Sequence, residues 1–156
     1  MLKKIVPQKI TARGARFVIV ASTYNARYVG AMLRAARAEI ARAGGAVRVV
    51  RVPGAYEIPV VAARLARKSE AKPQPSAIIC LGVILRGATT HAQHIAEAVS
   101  QALAQIQILH EVPVIHEVLL LENEQQARER CLGRTHNRGT EAAQTALEMA
   151  RIMGAL

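Results

Sequence analysis

Leu81-Gly82-Val83-Ile84-Leu85-Arg86-Gly87-Ala88-Thr89-Thr90-His91 closes an apolar run that begins at Ala77, passes through small and hydroxylated residues, and ends on a histidine that opens a helical pattern. The stretch reads as strand, turn and helix start. Open α/β sheets bind ligands just beyond the carboxyl ends of their strands. A helix N-terminus at that place offers unpaired N–H groups to an anion. His91, in the first helical turn, is a candidate proton donor facing a bound phosphate. On this segment alone a well-capped helix with an exposed first-turn histidine fits equally well.

Working outward, Arg16-Phe17-Val18-Ile19-Val20-Ala21-Ser22 reads as a buried strand that breaks at Thr23-Tyr24-Asn25, with Asn25 as N-cap. Val29, Met32, Leu33, Ala36, Ile40 and Ala43 then recur at helical spacing until Gly44-Gly45 stops the helix. Val47 to Val52 is a second strand. Pro53-Gly54 turns the chain, and Glu57-Ile58-Pro59 opens a helix through Ala66, where a first-turn proline forfeits no hydrogen bond. Ala77 to Leu85 is the third strand, followed by a helix from about His91 to Leu109, with Thr90 and Gln93 at capping-box spacing. Val114 to Leu121 is a fourth strand, Glu122 to Cys131 a short charged helix, and Gly133 to Gly139 a loop. A final helix aligns Ala143, Ala146, Leu147, Ala150 and Met153. This alternation predicts an α/β fold: a three-layer αβα sandwich around a central four-stranded parallel sheet, flavodoxin-like. Residues 16–156 read as a single domain. Residues 1–15 carry no core of their own and read as a frayed tail or an arm that pairs with a neighbouring subunit.

The bulk numbers agree with that architecture. A chain of 156 residues suits one domain, and 51% hydrophobic content excludes a disordered one. With 3% aromatics and no Trp, the core must be Ala, Val, Ile and Leu, as in helices packed on a parallel sheet. Lys+Arg 21 against Asp+Glu 11 leaves a net +10, which attracts acidic or phosphorylated partners. The basic residues are scattered, without a dense tract and with few aromatics to stack bases, so a solvated surface is favoured over nucleic-acid binding. Cys80 and Cys131 stand in no ligand or redox spacing, which fits a reduced cytoplasmic protein. The first residues lack the apolar core of a secretory signal, and no stretch suits a membrane span. His94, His110 and His136 read as exposed, and the histidines lack zinc-ligand spacing, so no metal is expected. GxGxxG, GxxxxGK[ST] and GxSxG are all missing, which weighs against dinucleotide, ATP and serine-hydrolase chemistry.

In a parallel sheet every strand-to-helix turn lies along one edge. That edge collects Ser22-Thr23-Tyr24-Asn25, Gly54-Ala55-Tyr56-Glu57 and Gly87-Ala88-Thr89-Thr90-His91. Together they supply a ring to stack on a flat ligand, small residues for close backbone approach, a carboxylate, hydroxyls and an imidazole. The set suits a planar polar ligand beside a phosphate. Taken singly, Tyr24 also reads as a cover for the sheet edge, Glu57 as a complement to a helix dipole worth ~0.3–1 kcal/mol, and Arg130 and Arg138 as solvated charges.

In order along the chain, Tyr24-Asn25, Val52-Pro53-Gly54-Ala55-Tyr56-Glu57-Ile58-Pro59, Gly82 through His91, Pro113-Val114-Ile115, Glu122-Asn123, Gln126-Ala127, Arg130, Asn137, Gly139 and Ala142-Ala143 through Ala146-Leu147-Glu148-Met149 resemble the 6,7-dimethyl-8-ribityllumazine synthases of riboflavin biosynthesis. The resemblance runs from about Arg16 to Met153. It implies condensation of 5-amino-6-(D-ribitylamino)uracil with 3,4-dihydroxy-2-butanone 4-phosphate, through an imine, loss of phosphate and ring closure with loss of water. It implies no metal or redox cofactor. By position, Tyr24 matches the ring that stacks on the pyrimidine. Ala55, Tyr56, Glu57, Val83, Ile84 and Leu85 match the segments that hold the pyrimidine and ribityl chain. Ala88 and Thr89 match the phosphate-side turn, Arg130 the phosphate-binding arginine, and His91 the proton donor. The resemblance also implies sites shared between neighbours in a pentamer, with the Arg130 region coming from the adjacent subunit. It leaves open an icosahedral shell of sixty subunits and riboflavin synthase as a partner.

The chain departs from the family pattern in places. His116-Glu117 stands where Phe-Gly is usual, so His116 replaces a ring that packs near the pyrimidine. Leu120-Leu121 replaces threonines, and Ala92-Gln93-His94 replaces an aromatic-acidic-aromatic run. Arg138 replaces the usual lysine and keeps its charge on the phosphate side. His116-Glu117 motivates one alternative to the enzyme, a non-catalytic flavin- or pteridine-binding relative, and the net charge of +10 motivates another, a shell-forming scaffold or nucleic-acid-binding protein.

Overall fold

The computed structural model describes residues 9–156, and the first eight residues of the expected N-terminal arm lie outside the described residues. Four strands, β1 (Arg16–Ser22), β2 (Ala46–Val52), β3 (Ala77–Leu85) and β4 (Val114–Leu121), form a parallel sheet in the order β2-β1-β3-β4. Five helices cover it: α1 (Ala26–Arg42), α2 (Ile58–Ala66), α3 (His91–His110), α4 (Glu124–Cys131) and α5 (Arg138–Ala155). The central strand β3 is buried along almost its whole length, so its run of apolar residues shows no alternation.

One apolar layer joins Phe17, Ile19, Ala21, Ile79 and Leu81 to Met32, Ala36 and Ile40 of α1 and to Ala142, Ala143 and Ala146 of α5. The other joins Val20, Ile78 and Cys80 to Ile58 and Ala62 of α2 and to Val99 and Leu103 of α3. The expected three layers are therefore present. Ala12 is buried in the first layer, and its N–H donates to Ala43 O at 2.7 Å, which ties the segment before β1 to the end of α1.

Several local expectations are corrected. Asn25 does stand before α1, but in the left-handed region at φ 54°, and its amide reaches across to donate to Val83 O at 2.7 Å instead of capping the helix. Asn tolerates that backbone better than most residues, which leaves its side chain free for the sheet edge. The Thr90–Gln93 capping box does not form. Thr90 lies at φ −77°, ψ 0°, away from the extended conformation that aims a hydroxyl at the helix, and Gln93 is taken by Arg86 and Glu97. The charged helix begins at Glu124, two residues later than expected, because extended Asn123 caps it through Gln126 N at 3.0 Å. Arg138 and Gly139 belong to α5 and not to the loop. Asn137 Oδ1 accepts from Gly139 N at 2.9 Å, and its amide donates to Cys131 O at 2.7 Å, so one side chain ends α4 and starts α5. His110 is half-buried, not exposed.

Candidate active site

The chain leaves β1 towards β2 on one side and reaches β3 and β4 on the other, so the sheet has a topological switch between the carboxyl ends of β1 and β3. Hydrogen bonds zip the turns together there. Thr23 Oγ1 and Tyr24 N both donate to Pro53 O at 3.0 Å, and Asn25 crosses the switch to Val83. Tyr24 and Tyr56 project from this edge at 75% and 63% exposure, two rings left open to a flat ligand. Ala55, Val83 and Ile84 lie buried beneath them, Leu85 is half-buried, and Ala88, Thr89 and His91 are exposed around the start of α3. Glu57 turns back so that Oε2 accepts from Gly54 N at 2.9 Å, holding the single helical turn Ala55–Glu57 in shape.

The start of α3 keeps its anion-binding potential for a physical reason. The first N–H groups of a helix have no partner within it; Thr90 does not cap them with its side chain, and His91 N–H makes only a long 3.4 Å bond to Thr89 Oγ1. The macrodipole adds a partial positive charge at the same end. Arg86, which no sequence pattern singles out, lies at this turn, donating to Glu122 at 3.0 Å and to Gln93 at 2.9 Å.

The remaining expected residues lie elsewhere in the chain. Arg130 and Arg138 line an open pocket of about 310 Å³ with Glu129, His136 and Glu141. This pocket belongs to the α4–α5 side, whereas α3 and His91 belong to the opposite face. Arg138 Nε donates to Glu117 at 2.6 Å and Nη1 to Glu141 at 2.7 Å. Glu117 is 4% exposed, and burial raises its proton affinity above the usual carboxyl value against the pull of Arg138 and Arg130. A glutamate and an arginine twenty-one residues apart announce no pairing in sequence, and only the register of β4 reveals it.

His116 lies opposite Cys80, five positions before the end of β3, so about 16 Å separates it from the strand edge along the sheet. Within one chain it does not meet Tyr24. Its Nε2 is 2.8 Å from Ser100 Oγ, and its Nδ1 accepts from Val118 N at 3.3 Å. Ser100 donates its hydroxyl proton to Ala96 O at 2.8 Å, so Nε2 must carry the ring proton. That tautomer cannot act as a base towards the serine, and the pair is not a nucleophilic dyad.

Partial burial against α3 lowers the proton affinity of His116 below the ordinary 6.5, with a backbone hydrogen bond opposing in part. The unfolded chain then takes up the proton first, so this residue's stabilising contribution is present above about pH 6.5 and is lost as pH falls below it. The expected result is that wild type loses stability relative to His116→Gln between about pH 7.5 and 5.5. A tenfold change in proton affinity would carry about 1.4 kcal/mol. The residue keeps contact with solvent, which screens the effect to a fraction of that. Urea midpoints measured across that range check it, and an unchanged gap would show that the ring titrates alike folded and unfolded.

Among the described residues no three His, Cys, Asp or Glu side chains gather as a metal site, and no helix is long and apolar enough to cross a membrane. A sequence model described as 6,7-dimethyl-8-ribityllumazine synthase matches residues 14–154. A protein of that name from Aquifex aeolicus is 40% identical over 98% of this chain and 99% of its own length. Others of the same name are 42% identical in Xanthomonas campestris, over 89% of this chain and 90% of theirs, and 35% identical in Thermus thermophilus, over 100% and 99%. With the α/β fold and near full-length similarity in agreement, this chain belongs to the 6,7-dimethyl-8-ribityllumazine synthase family.

Proposed function

We propose that this protein condenses 5-amino-6-(D-ribitylamino)uracil with 3,4-dihydroxy-2-butanone 4-phosphate to 6,7-dimethyl-8-ribityllumazine, releasing phosphate and water. The observation that carries the reading is the pairing, at one switch point, of two open tyrosine rings with a helix N-terminus that bears His91 and that Thr90 does not cap. The pyrimidine stacks on Tyr24, with Ala55, Tyr56, Glu57 and Val83 to Leu85 holding it and the ribityl chain. The phosphate lies by Ala88 and Thr89, where the start of α3 favours its charge. His91 moves the proton as the carbon–oxygen bond to phosphate breaks. The residues of this arrangement demand no metal ion, because the amine and ketone react directly and electrophilic help comes from N–H donors and cations. Mixing the two substrates and following lumazine absorbance with phosphate release tests the activity.

The division of the expected residues between two faces of one chain supports a site completed by a neighbour. On that reading the enzyme works in the cytoplasm as pentamers, or as a shell built from them, with Arg130, Arg138 and His116 reaching the strand edge of the adjacent subunit.

Arg130 gives the test. A guanidinium makes paired, charge-assisted bonds to phosphate oxygens, so Arg130→Ala is expected to raise KM for the phosphorylated ketone roughly 10- to 100-fold. KM for the pyrimidine should hardly move. Co-expressing Arg130→Ala with His91→Ala chains should regenerate about a quarter of the sites at random assembly in a ring, read as activity at limiting ketone. A site built within one chain regenerates none.

A further inference from the structure

Two of the three guanidinium nitrogens of Arg138 are held by carboxylates: Nε by Glu117 and Nη1 by Glu141. Among the described residues no carboxylate holds the remaining nitrogen, Nη2, and Arg138 lines a pocket with Arg130 and His136. The two carboxylates differ in kind. Glu141 is exposed, one turn along the same helix, and worth little as a surface partner. Glu117 is 4% exposed, on the rigid strand β4, and bonded at 2.6 Å. A buried carboxylate stays charged only beside a partner that compensates it. Here that partner is a cation at the mouth of a candidate phosphate site.

We propose that Glu117 is a positioning residue that fixes the guanidinium of Arg138 so that its unused N–H donors are presented to the phosphate of the ketone substrate. The inference rests on the reading of Arg130 and Arg138 as the phosphate side of the site. An unheld arginine carries many rotamers, and ordering them on binding costs affinity. A guanidinium pinned through Nε has lost that freedom before the substrate arrives. The two carboxylates use two of the five N–H donors and leave the others, on Nη1 and Nη2, for the phosphate.

Three substitutions of Glu117 separate positioning from charge and from plain structure. Glu117→Gln keeps an oxygen for Nε and removes the charge, so KM for the ketone phosphate should stay within about threefold of wild type. Glu117→Asp keeps the charge but withdraws it by a methylene, and should raise that KM about tenfold. Glu117→Ala removes both and should match the aspartate. In each, kcat and KM for the pyrimidine should hold, with thermal midpoints showing that the chains are folded at the assay temperature. Arg138→Lys should raise KM in wild type and add nothing further in Glu117→Asp, the non-additivity of a coupled pair. If Gln, Asp and Ala all lower KM, Glu117 is a competing anion, and the proposal is overturned. It is overturned equally if all three change only the thermal midpoint. If Arg130→Ala and Arg138→Ala themselves leave KM for the ketone unchanged, the phosphate reading fails instead, which distinguishes the two failures.

Discussion

Gly139→Ala is expected to unfold the protein or leave it barely stable, although it adds a single methyl group. Gly139 opens α5 where that helix crosses α1, and a Cβ built on it would lie 2.0 Å from Met32 O and 2.6 Å from Met32 C and Cα. The obstructing atoms are helical backbone and cannot rotate aside. Relief requires α5 to lift off α1, which would open the layer of Met32, Ala36, Ala142, Ala143 and Ala146. Such overpacking costs more than the usual ~1–3 kcal/mol of a core insertion, and at about 4 kcal/mol or more it consumes much of a typical stability of about 5–15 kcal/mol. Gly30→Ala is the control. Its Cβ would meet only the tip of Arg34 at 3.5 Å, so the better helix propensity of alanine should raise stability by ~0.5–1 kcal/mol. Chemical denaturation of the two variants should move in opposite directions. Equal midpoints would show that α5 can shift without cost.

The contrast also explains what was legible in the sequence. Among the described residues the four strands and five helices are readable from local pattern: β1 and β3 as unbroken apolar runs, β2 and β4 as apolar stretches interrupted by Arg48, Arg51, His116 and Glu117, the long helices by a repeated apolar face and α4 by its charged residues. What failed was decided across the chain. Asn25 looks like a cap, yet Val83 claims its amide. Thr90 and Gln93 have the spacing of a capping box, yet Arg86 takes the glutamine. Spacing states which groups can meet, and competition among distant partners decides which do.

The site divides in the same way. Its strand-edge half follows from topology alone, since parallel strands bring their turns to one edge, and Tyr24, Tyr56 and His91 are found there. The half on β4, α4 and α5 depends on which face of the sheet each residue occupies. His116 and Glu117 are neighbours in sequence but point to opposite faces, one to Ser100 and the other to Arg138. A substitution that reads as one event in the sequence is therefore two events in the molecule.

His91→Ala should give the largest loss of turnover among folded variants. The imidazole is exposed at the start of α3, beside Thr89, whose hydroxyl lies 3.4 Å from the His91 amide. Histidine can both give and take a proton near neutral pH. Its proposed task is to deliver a proton as the bond to phosphate breaks, where the departing oxyanion also meets the positive end of the helix. Removing a positioned acid–base group costs typically ~10²–10⁴-fold, and the lower end is expected here. The amine and the ketone react on their own when held together, so positioning by Tyr24, Ala55–Glu57 and the α3 terminus preserves a residual rate. Little stability should be lost, because the side chain is exposed and fills no core. Pyrimidine affinity should also survive, since nothing that stacks on or flanks that ring has changed. Single-turnover lumazine formation, measured with pyrimidine binding on the same variant, separates these effects. A roughly hundredfold slower rate at unchanged affinity is the expected pair of results. An unchanged rate, or an affinity that falls in step with the rate, would move proton transfer to another group.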